Sequence, residues 1–306
     1  MFRPFQSLRL LLSPYRLQSR FYWQMFRRAG LQQTRAEVPC ASIRLWQGGA
    51  GAGAGAPLLM LHGFGASALW QWYGQVGDLV HGRALFVPDL IGFGGSERRG
   101  GRPPSLDLQA DAMIEMMDHY GVEQFDILGL SYGGFVGARM VQRWPERVRG
   151  IVFSDSPAVG YQLADYHDMI ERFQIGHIGD LLQPPTPADV RRLLSIAWVR
   201  PPWAPAFAMP DIHRNMFTDR IEEKRALLDE ALEMLKGPPM IEHIARPSLI
   251  IWGEHDPIFP LHLGARMAAR LNSTLRSIAR TAHTPNMERP ARFNPLVDRF
   301  LRQAGG

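Results

Sequence analysis

The sequence predicts an α/β fold: a mostly parallel central sheet flanked by helices, with a helical cap inserted after the sixth strand. Short apolar runs, each followed by a Gly-rich loop, recur along the chain, as buried parallel strands do. Helical patterns lie between these runs, for example over residues 106–120. Between about residues 157 and 244 the alternation stops, and helical segments broken by proline pairs predict an insertion.

This pattern divides the chain into three predicted parts. Residues 1–36 form a basic amphipathic extension, residues 37–156 and 245–306 form the core, and residues 157–244 form the cap. With 306 residues, 46% of them hydrophobic, the chain can bury one large core. Residues 37–46 predict a β-hairpin. The Gly/Ala run 48–56 precedes a strand instead of following one, so it indicates a flexible connector and not a phosphate-binding loop.

The segment Gly129-Leu130-Ser131-Tyr132-Gly133 follows an apolar run and precedes a helical pattern. Strand, Gly-x-Ser-x-Gly and helix together predict a nucleophile elbow, in which the hydroxyl of Ser131 is exposed at the top of the sheet. Glycine is required on both sides because a side chain would clash in so sharp a turn. A serine hydroxyl is a weak nucleophile, so a base and an orienting acid must lie elsewhere in the chain.

Two residues further along the chain fit these roles. Asp256 follows the apolar run 248–253, and His283 follows the strand-like run 274–278. The order Ser, Asp, His is the one that a nucleophile elbow requires. Both residues are predicted on loops directly after strands, at the edge where α/β folds place their chemistry. We therefore predict a catalytic triad of Ser131, Asp256 and His283.

A second loop predicts the stabilisation of negative charge. The apolar strand 58–61 is followed by His62-Gly63-Phe64-Gly65. Acyl transfer needs hydrogen-bond donors aimed at the oxyanion of the transition state. The predicted donors are the backbone N–H groups of Phe64 and Tyr132. We expect His62 to stabilise the loop through hydrogen bonds and to take no part in catalysis.

Five segments together resemble the signature blocks of the α/β-hydrolase superfamily, and they span roughly residues 35–303. They are HGFG at 62–65, VPDLIGFGGS at 87–96, GLSYGG at 129–134, WGEHD at 252–256 and HTPNMERP at 283–290. Within the superfamily the chain is most similar to serine hydrolases related to monoacylglycerol lipases and meta-cleavage-product hydrolases. Haloalkane dehalogenases and epoxide hydrolases carry aspartate at the nucleophile position, so Ser131 argues against both. Ala282 departs from the glycine usual before the histidine.

The resemblance also brings in an alternative acid. Asp155 ends the apolar run 151–154, a position that some members of the superfamily use for the acid. Asp256 is preferred because it fits the Trp-Gly-Glu-x-Asp block and keeps the usual separation from His283. We expect Asp155 to brace the entrance to the cap.

The positive charge is confined to the N-terminal part of the chain. Residues 1–36 hold seven arginines and no acid, and removing these seven charges from the net +5 leaves −2 for the rest. A nucleic-acid-binding body is therefore not supported. Arginines alternate with aromatic and aliphatic residues up to about residue 30, which predicts peripheral contact with a membrane surface. A helix packed on the core or on a second subunit, or a disordered extension, is the alternative, and Pro14 is expected to break the helix. We expect a cytoplasmic protein.

The cap is rich in methionine and aromatic residues, a composition that suits an apolar substrate. These residues are Met169, Phe173, Trp198, Trp203, Phe207, Met209, Met216, Phe217, Met234 and Met240. The ten histidines show no close paired spacing, so we expect no metal, and no cofactor is required.

We therefore predict hydrolysis of carboxylic esters with apolar acyl groups, through an acyl-enzyme. The alternative is C–C bond hydrolysis of the meta-cleavage-product type by the same triad, which basic cap residues placed for a substrate carboxylate would favour. A non-catalytic receptor on this fold is a third hypothesis.

Overall fold

The computed structural model describes residues 13–49, 55–237, 241 and 243–303. Three predicted features lie partly or wholly outside these residues: the first twelve residues of the extension, the centre of the Gly/Ala connector at 50–54, and Met240 of the cap.

In the described part of the chain, nine strands form one sheet. They are β1 (Gln32–Val38), β2 (Ala41–Gly49), β3 (Leu58–Leu61), β4 (Ala84–Pro88), β5 (Glu97–Arg98), β6 (Phe125–Leu130), β7 (Val148–Ser154), β8 (Ser248–Gly253) and β9 (Thr274–Ile278). Their order is β1-β2-β4-β3-β6-β7-β8-β9, and β5 pairs with β2 off this path. The strands from β4 to β9 along this path pair in parallel, whereas β1, β2 and β4 pair antiparallel, which confirms the mostly parallel sheet.

Both faces of the sheet are buried, which explains why the strands are continuous apolar runs. Successive side chains of a strand point to opposite faces. In β3, Leu58 and Met60 belong to one hydrophobic cluster, and Leu59 and Leu61 belong to the other. The sequence pattern of the central strands therefore follows from a sheet between two layers of helices.

Thirteen α-helices lie within the described residues. They are α1 (Pro14–Arg28), α2 (Ala68–Trp72), α3 (Val76–Leu79), α4 (Leu106–His119), α5 (Tyr132–Arg143), α6 (Leu163–Phe173), α7 (Gly179–Leu182), α8 (Pro187–Ala197), α9 (Met209–Met216), α10 (Ile221–Leu235), α11 (Leu261–Leu271), α12 (Pro285–Glu288) and α13 (Pro290–Gln303). Helices α4, α5 and α11 pack on one face of the sheet, and α1, α2, α3 and α13 pack on the other.

Helices α6 to α10 lie between β7 and β8, within the range 157–244. Strand β7 is the sixth strand of the main sheet path, because the two-residue β5 lies off that path. The insertion is joined to the core by polar contacts: Glu230 of α10 accepts a hydrogen bond from the backbone N–H of Leu106, and Asp165 of α6 pairs with Arg266 of α11.

The N-terminal region differs from the expectation at two points. Pro14 begins α1 instead of breaking it, because the first helical position has no intrahelical N–H bond to lose. The Ser13 hydroxyl caps this helix by accepting a hydrogen bond from the Arg16 N–H. Strand β1 begins at Gln32, so residues 32–36 belong to the sheet. None of the helices described has both the length and the apolar character that crossing a bilayer requires.

Candidate active site

Ser131 lies between β6 and α5, in a turn with φ of +51°. The turn is crowded: a β-carbon added at Gly129 would lie 2.6 Å from the carbonyl oxygen of Gly133, and one at Gly133 would overlap the carbonyl of Leu61. Glycine is therefore required at both positions. The backbone of Ser131 is held by its N–H bond to the carbonyl of Ser154 and by the hydroxyl of Ser156, which donates to the Ser131 carbonyl over 2.7 Å.

Asp256 and His283 are brought together by the loops after β8 and β9. The Nδ1 atom of His283 lies 2.8 Å from Oδ2 of Asp256. Oδ1 of Asp256 accepts hydrogen bonds from the N–H groups of Ile258 and Phe259, at 2.8 and 3.1 Å. Both side chains are buried. This arrangement fixes the orientation of the imidazole ring and favours the tautomer with the proton on Nδ1.

Asp155 lies beside this pair but makes different contacts. Its Oδ1 accepts from the Gly253 N–H at 2.7 Å, and its Oδ2 accepts from the Ser154 hydroxyl at 2.8 Å. It therefore ties the end of β7 to the end of β8. Burial, and then the nearby charge of Asp256, raises the pKa of Asp155 well above its ordinary value.

Asp155, Asp256 and His283 are close enough together that they could geometrically ligate a cation. All four oxygens of the two carboxyl groups already accept hydrogen bonds from protein groups. Hydrogen bonds within the protein therefore explain why these three side chains lie so close together.

The structure does not join Ser131 to His283 directly, since no hydrogen bond between these two described residues is formed. In ligand-free enzymes, the bond between nucleophile and base is often long and tightens when substrate binds. The ring of His283 packs against Phe259, with ring centroids 5.6 Å apart.

The loop 62–65 lies against the nucleophile turn, as a β-carbon added at Gly63 would be 3.4 Å from Cβ of Ser131. Within the described residues, neither the Phe64 N–H nor the Tyr132 N–H donates a backbone hydrogen bond. Both N–H groups are thus without a backbone partner in this part of the chain, as the predicted oxyanion hole requires. His62 is fully buried; its Nε2 accepts from the Leu90 N–H at 2.9 Å and its Nδ1 lies 2.8 Å from the Gly63 carbonyl. Burial lowers the pKa of His62, so its ring is neutral and stabilises this loop through these two contacts.

A pocket opens directly above Ser131, between the core and the insertion, with an empty volume of about 660 Å³ including its part open to solvent. Its lining combines core residues such as Phe64 and Phe135 with insertion residues such as Met169 and Leu232. None of the lining residues described is charged, and the only polar side-chain atoms are hydroxyls of one serine and three tyrosines.

Sequence reasoning missed Glu288, a residue of the HTPNMERP block to which no role was assigned. Its Oε1 accepts from the Ala282 N–H at 2.6 Å, and its Oε2 accepts from the Val199 N–H at 2.9 Å. Glu288 thereby connects the loop that carries His283 to the insertion. Its position five residues after the histidine, in the same block, was the available signal.

Similarity to known proteins agrees with this architecture. The sequence pattern of the α/β hydrolase fold matches residues 56–290. The 2-hydroxymuconate semialdehyde hydrolase of Pseudomonas sp. strain CF600 is 28% identical over 292 residues, which cover 88% of this chain and 94% of that protein. A protein assigned as a lipase (lip1) from Acinetobacter baumannii AYE shares the fold with a TM-score of 0.80 and 20% identity, over 93% of this chain and 95% of that one.

A membrane phospholipase A described as a bacterial virulence factor has a TM-score of 0.79 and 22% identity, over 98% of this chain and 93% of that one. At these identities the structural likeness concerns the fold alone. Because the matched pattern covers most of the chain and the sheet order agrees with it, the protein belongs to the α/β-hydrolase family.

Proposed function

We propose that this protein is a serine hydrolase that cleaves carboxylic esters with apolar acyl groups. The observation that supports this proposal most directly is the uncharged lining of the pocket above Ser131. Apolar surface buried there contributes about 0.8 kcal/mol per CH₂ group. A substrate carboxylate would lose its hydration in the pocket without gaining a cationic partner among the described lining residues, which is unfavourable.

The proposed reaction begins when the Ser131 hydroxyl attacks the ester carbonyl and Nε2 of His283 accepts its proton. The carbonyl oxygen becomes an oxyanion that accepts hydrogen bonds from the N–H groups of Phe64 and Tyr132. Asp256 keeps the imidazole oriented and stabilises its protonated form through Nδ1. His283 then gives its proton to the leaving alcohol as the C–O bond breaks, which leaves an acyl group on Ser131.

Hydrolysis of the acyl-enzyme repeats these steps with water. The base His283 takes a proton from the water, the resulting hydroxide attacks the acyl carbonyl, and the same two N–H groups hold the second oxyanion. When the intermediate collapses, the proton returns to Ser131 and the carboxylic acid is released. No cofactor and no metal take part in these steps.

C–C bond hydrolysis is the second candidate, and it is favoured by the names of the similar curated proteins, such as the 2-hydroxymuconate semialdehyde hydrolase. On those names alone it ranks above ester hydrolysis. The same serine, histidine and aspartate would act, and the bond broken in the first half-reaction would be C–C instead of C–O. The uncharged pocket is the observation against it, because such substrates carry a carboxylate.

Two measurements test the proposal. A fluorophosphonate probe should label the wild-type protein and leave Ser131→Ala unlabelled. Initial rates should then be compared for p-nitrophenyl esters of 2 to 12 carbons and for a 2-hydroxy-6-oxo-dienoate. We expect kcat/KM to rise with acyl length up to the capacity of the pocket and to exceed that for the dienoate. A higher kcat/KM for the dienoate than for every ester would replace the first candidate with the second.

A further inference from the structure

Two tyrosines that line the pocket have buried hydroxyl groups without a hydrogen-bond partner among the described residues. The phenol oxygens of Tyr132 and Tyr161 are buried, and neither forms a hydrogen bond with the described part of the protein. The two side chains line the pocket that contains Ser131, and their residues are only 7% and 6% exposed. Buried polar groups are nearly always hydrogen-bonded, so an unpartnered pair at one site needs an explanation.

The third tyrosine of the pocket provides the contrast. The hydroxyl of Tyr166 accepts a hydrogen bond from the backbone N–H of Ile178 at 3.4 Å. The protein thus supplies a partner for one of the three pocket hydroxyls and leaves two without one.

The rings that carry the unpartnered hydroxyls are held by packing, so their hydroxyls are not needed to position them. The ring of Tyr161 packs against Phe135 and Phe259, with centroids 6.0 and 5.5 Å apart. The ring of Tyr132 packs edge-on against Phe64 at 5.9 Å. Phenylalanine would preserve these ring contacts.

The chemical state of the two groups is also defined. Burial raises the pKa of both phenols above the ordinary tyrosine value, so each keeps its proton and can donate a hydrogen bond. An acceptor on the substrate would therefore satisfy the donor that each hydroxyl leaves unused. A saturated hydrocarbon chain in this pocket would leave both donors unsatisfied.

We infer that Tyr132 and Tyr161 determine specificity, and that the preferred substrates carry an oxygen acceptor within an otherwise apolar acyl group. A keto oxygen, separated from the reacting carbonyl by a hydrocarbon segment, fits this requirement. The inference rests on the proposed function, because it concerns the acyl group of the same reaction.

The test compares p-nitrophenyl hexanoate with its 4-oxo and 5-oxo derivatives, which have the same chain length. The readout is the ratio of kcat/KM for an oxo ester to kcat/KM for the plain ester. We expect a wild-type ratio of about 10 or more for at least one isomer, falling roughly tenfold in Tyr161→Phe. Tyr166→Phe, which removes a hydroxyl that already has a partner, is the matched control and should keep the wild-type ratio.

Three results would overturn the inference: a wild-type ratio near 1 for both isomers, an equal loss for oxo and plain esters in Tyr161→Phe, or the same fall in Tyr166→Phe. Calorimetry on Ser131→Ala measures binding of the three esters without hydrolysis. It therefore separates failure of this inference from failure of the proposed function. If wild type hydrolyses no ester but Ser131→Ala binds an oxo ester at least tenfold more tightly, only the proposed function fails.

A second, independent observation concerns the outer surface of α1. The inner face of this helix is part of the core: Phe26 is fully buried beside Trp46, and Tyr22 stacks on Tyr73 with centroids 4.0 Å apart. The helix is therefore fixed on the protein, and its outward-facing residues form a defined surface.

That outer surface combines large apolar side chains with positive charge. Its exposed members are Arg16, Leu17, Arg20, Phe21, Trp23, Gln24, Arg27 and Arg28. Leu17 and Phe21 are each more than half exposed and lie one helical turn apart. None of the four arginines forms a salt bridge with a described residue, so their charges are available to an external partner.

A part of the insertion near the start of α1 also exposes aromatic side chains. Asp211 of α9 accepts a hydrogen bond from the backbone N–H of Tyr15 at 3.0 Å, which places α9 beside the start of α1. The segment leading into α9 carries Trp203 and Phe207, which are 88% and 74% exposed. Exposed aromatic residues next to arginines are the composition of a protein surface that lies in the interface of a bilayer.

We propose that the outer face of α1, together with this aromatic segment of the insertion, docks on an anionic lipid surface. The arginines would attract the negatively charged headgroups, and Leu17, Phe21 and the exposed aromatic rings would enter the interfacial region. The free arginines favour this partner over a second copy of the chain, because two such faces brought together would repel each other.

Co-sedimentation with phosphatidylglycerol/phosphatidylcholine vesicles tests this proposal with the full chain. We expect the wild type to pellet with these vesicles, to pellet weakly with phosphatidylcholine alone, and to be released at high salt. Leu17→Ser/Phe21→Ser and Arg16→Gln/Arg20→Gln should each weaken binding about tenfold or more. Ile221→Ser, at an exposed apolar position of α10, is the matched control and should bind as the wild type.

Deleting α1 is unsuitable as a test because it would remove Tyr22 and Phe26 from the core. Absence of binding by the wild type, or binding that neither double variant alters, would overturn the proposal. A concentration-dependent dimer that Leu17→Ser/Phe21→Ser converts to a monomer would overturn it in favour of a second copy of the chain.

Discussion

At the carboxyl end of the sheet, every oxygen of two buried carboxyl groups accepts a hydrogen bond, whereas at the amino end one buried carboxyl oxygen accepts none. Asp155 and Asp256 represent the first case, with partners from β7, the loop after β8 and His283. Asp126, the second residue of β6, represents the other: it is 1% exposed, and its Oδ1 has no partner among the described residues.

The surroundings of the two ends differ accordingly. Asp126 lies in a polar cavity with Arg83 and Arg149, yet burial dominates and raises its pKa to about 6. At the carboxyl end, by contrast, backbone N–H groups, the Ser154 hydroxyl and His283 together donate to every oxygen of the two carboxyl groups. The comparison indicates that the carboxyl groups at the carboxyl end are held in fixed positions by their donors, while the amino end contains a buried carboxyl group with one oxygen left without a partner among the described residues. Substitutions at the two ends should therefore affect different properties.

The largest effect is expected for Ser131→Ala, which removes the hydroxyl that we propose as the nucleophile. We expect kcat/KM for a p-nitrophenyl ester to fall about 10³-fold or more, while the far-UV circular dichroism spectrum and Tm stay near wild type. The control is Ser273→Ala at the amino end, where the hydroxyl of Ser273 lies 2.9 Å from that of Ser248; it should keep wild-type turnover. Substantial turnover by Ser131→Ala would remove the basis of the proposed function.

A comparison of the two carboxyl groups at the catalytic end gives the next largest effect. Asp256→Asn should lower kcat/KM about 10²- to 10⁴-fold, because the amide cannot hold the imidazole in the required tautomer. Asp155→Asn should cost less than about tenfold, since a neutral amide replaces a carboxyl group whose pKa is already raised by burial and by the Asp256 charge. Steady-state kinetics on one ester measures both. If Asp155→Asn were the more damaging change, Asp155 would be the orienting acid.

Much of this architecture could be predicted because the candidate site residues lie directly after strands. Apolar runs fix the positions of β6, β8 and β9, so Ser131, Asp256 and His283 could be placed at one edge of the sheet without knowing any contact between them. The choice of Asp256 over Asp155 as the partner of His283 also follows from this order, and the hydrogen bond at 2.8 Å agrees with it.

The partners of individual polar atoms could not be predicted. Which face of α1 packs inward depends on tertiary contacts, because the buried Tyr22 and Phe26 and the exposed Phe21 and Trp23 are all aromatic. The hydroxyl of Tyr166 has a partner and that of Tyr161 has none, although both are insertion tyrosines five residues apart. Sequence patterns show periodicity and residue type, and neither tells which side chain packs inward or which hydroxyl has a hydrogen-bond partner.

The smallest effect, and the one with the opposite sign, is expected at the amino end. An aspartate in the unfolded chain titrates near pH 3.9, whereas Asp126 titrates near 6 in the folded protein. Between these values the folded state binds more protons, so the free energy of unfolding falls as the pH rises from about 4 to 6 and does not fall further above that. Asp126→Asn removes this loss and should stabilise the protein by about 1–3 kcal/mol at pH 8, with little difference near pH 3.5.

A neighbour at the same end provides the control for this prediction. Burial alone would raise the pKa of Asp298, but hydrogen bonds from Arg302 and Arg83 lower it below its ordinary value. Its contribution to stability is therefore present at neutral pH and lost on acidification, so Asp298→Asn should destabilise the protein at pH 8. Urea unfolding at pH 8 and pH 3.5, with ester hydrolysis measured in parallel at pH 8, checks both variants. A fall in stability for Asp126→Asn at pH 8 would show that Arg83 and Arg149 compensate the burial of this carboxylate, and the contrast between the two ends of the sheet would then fail.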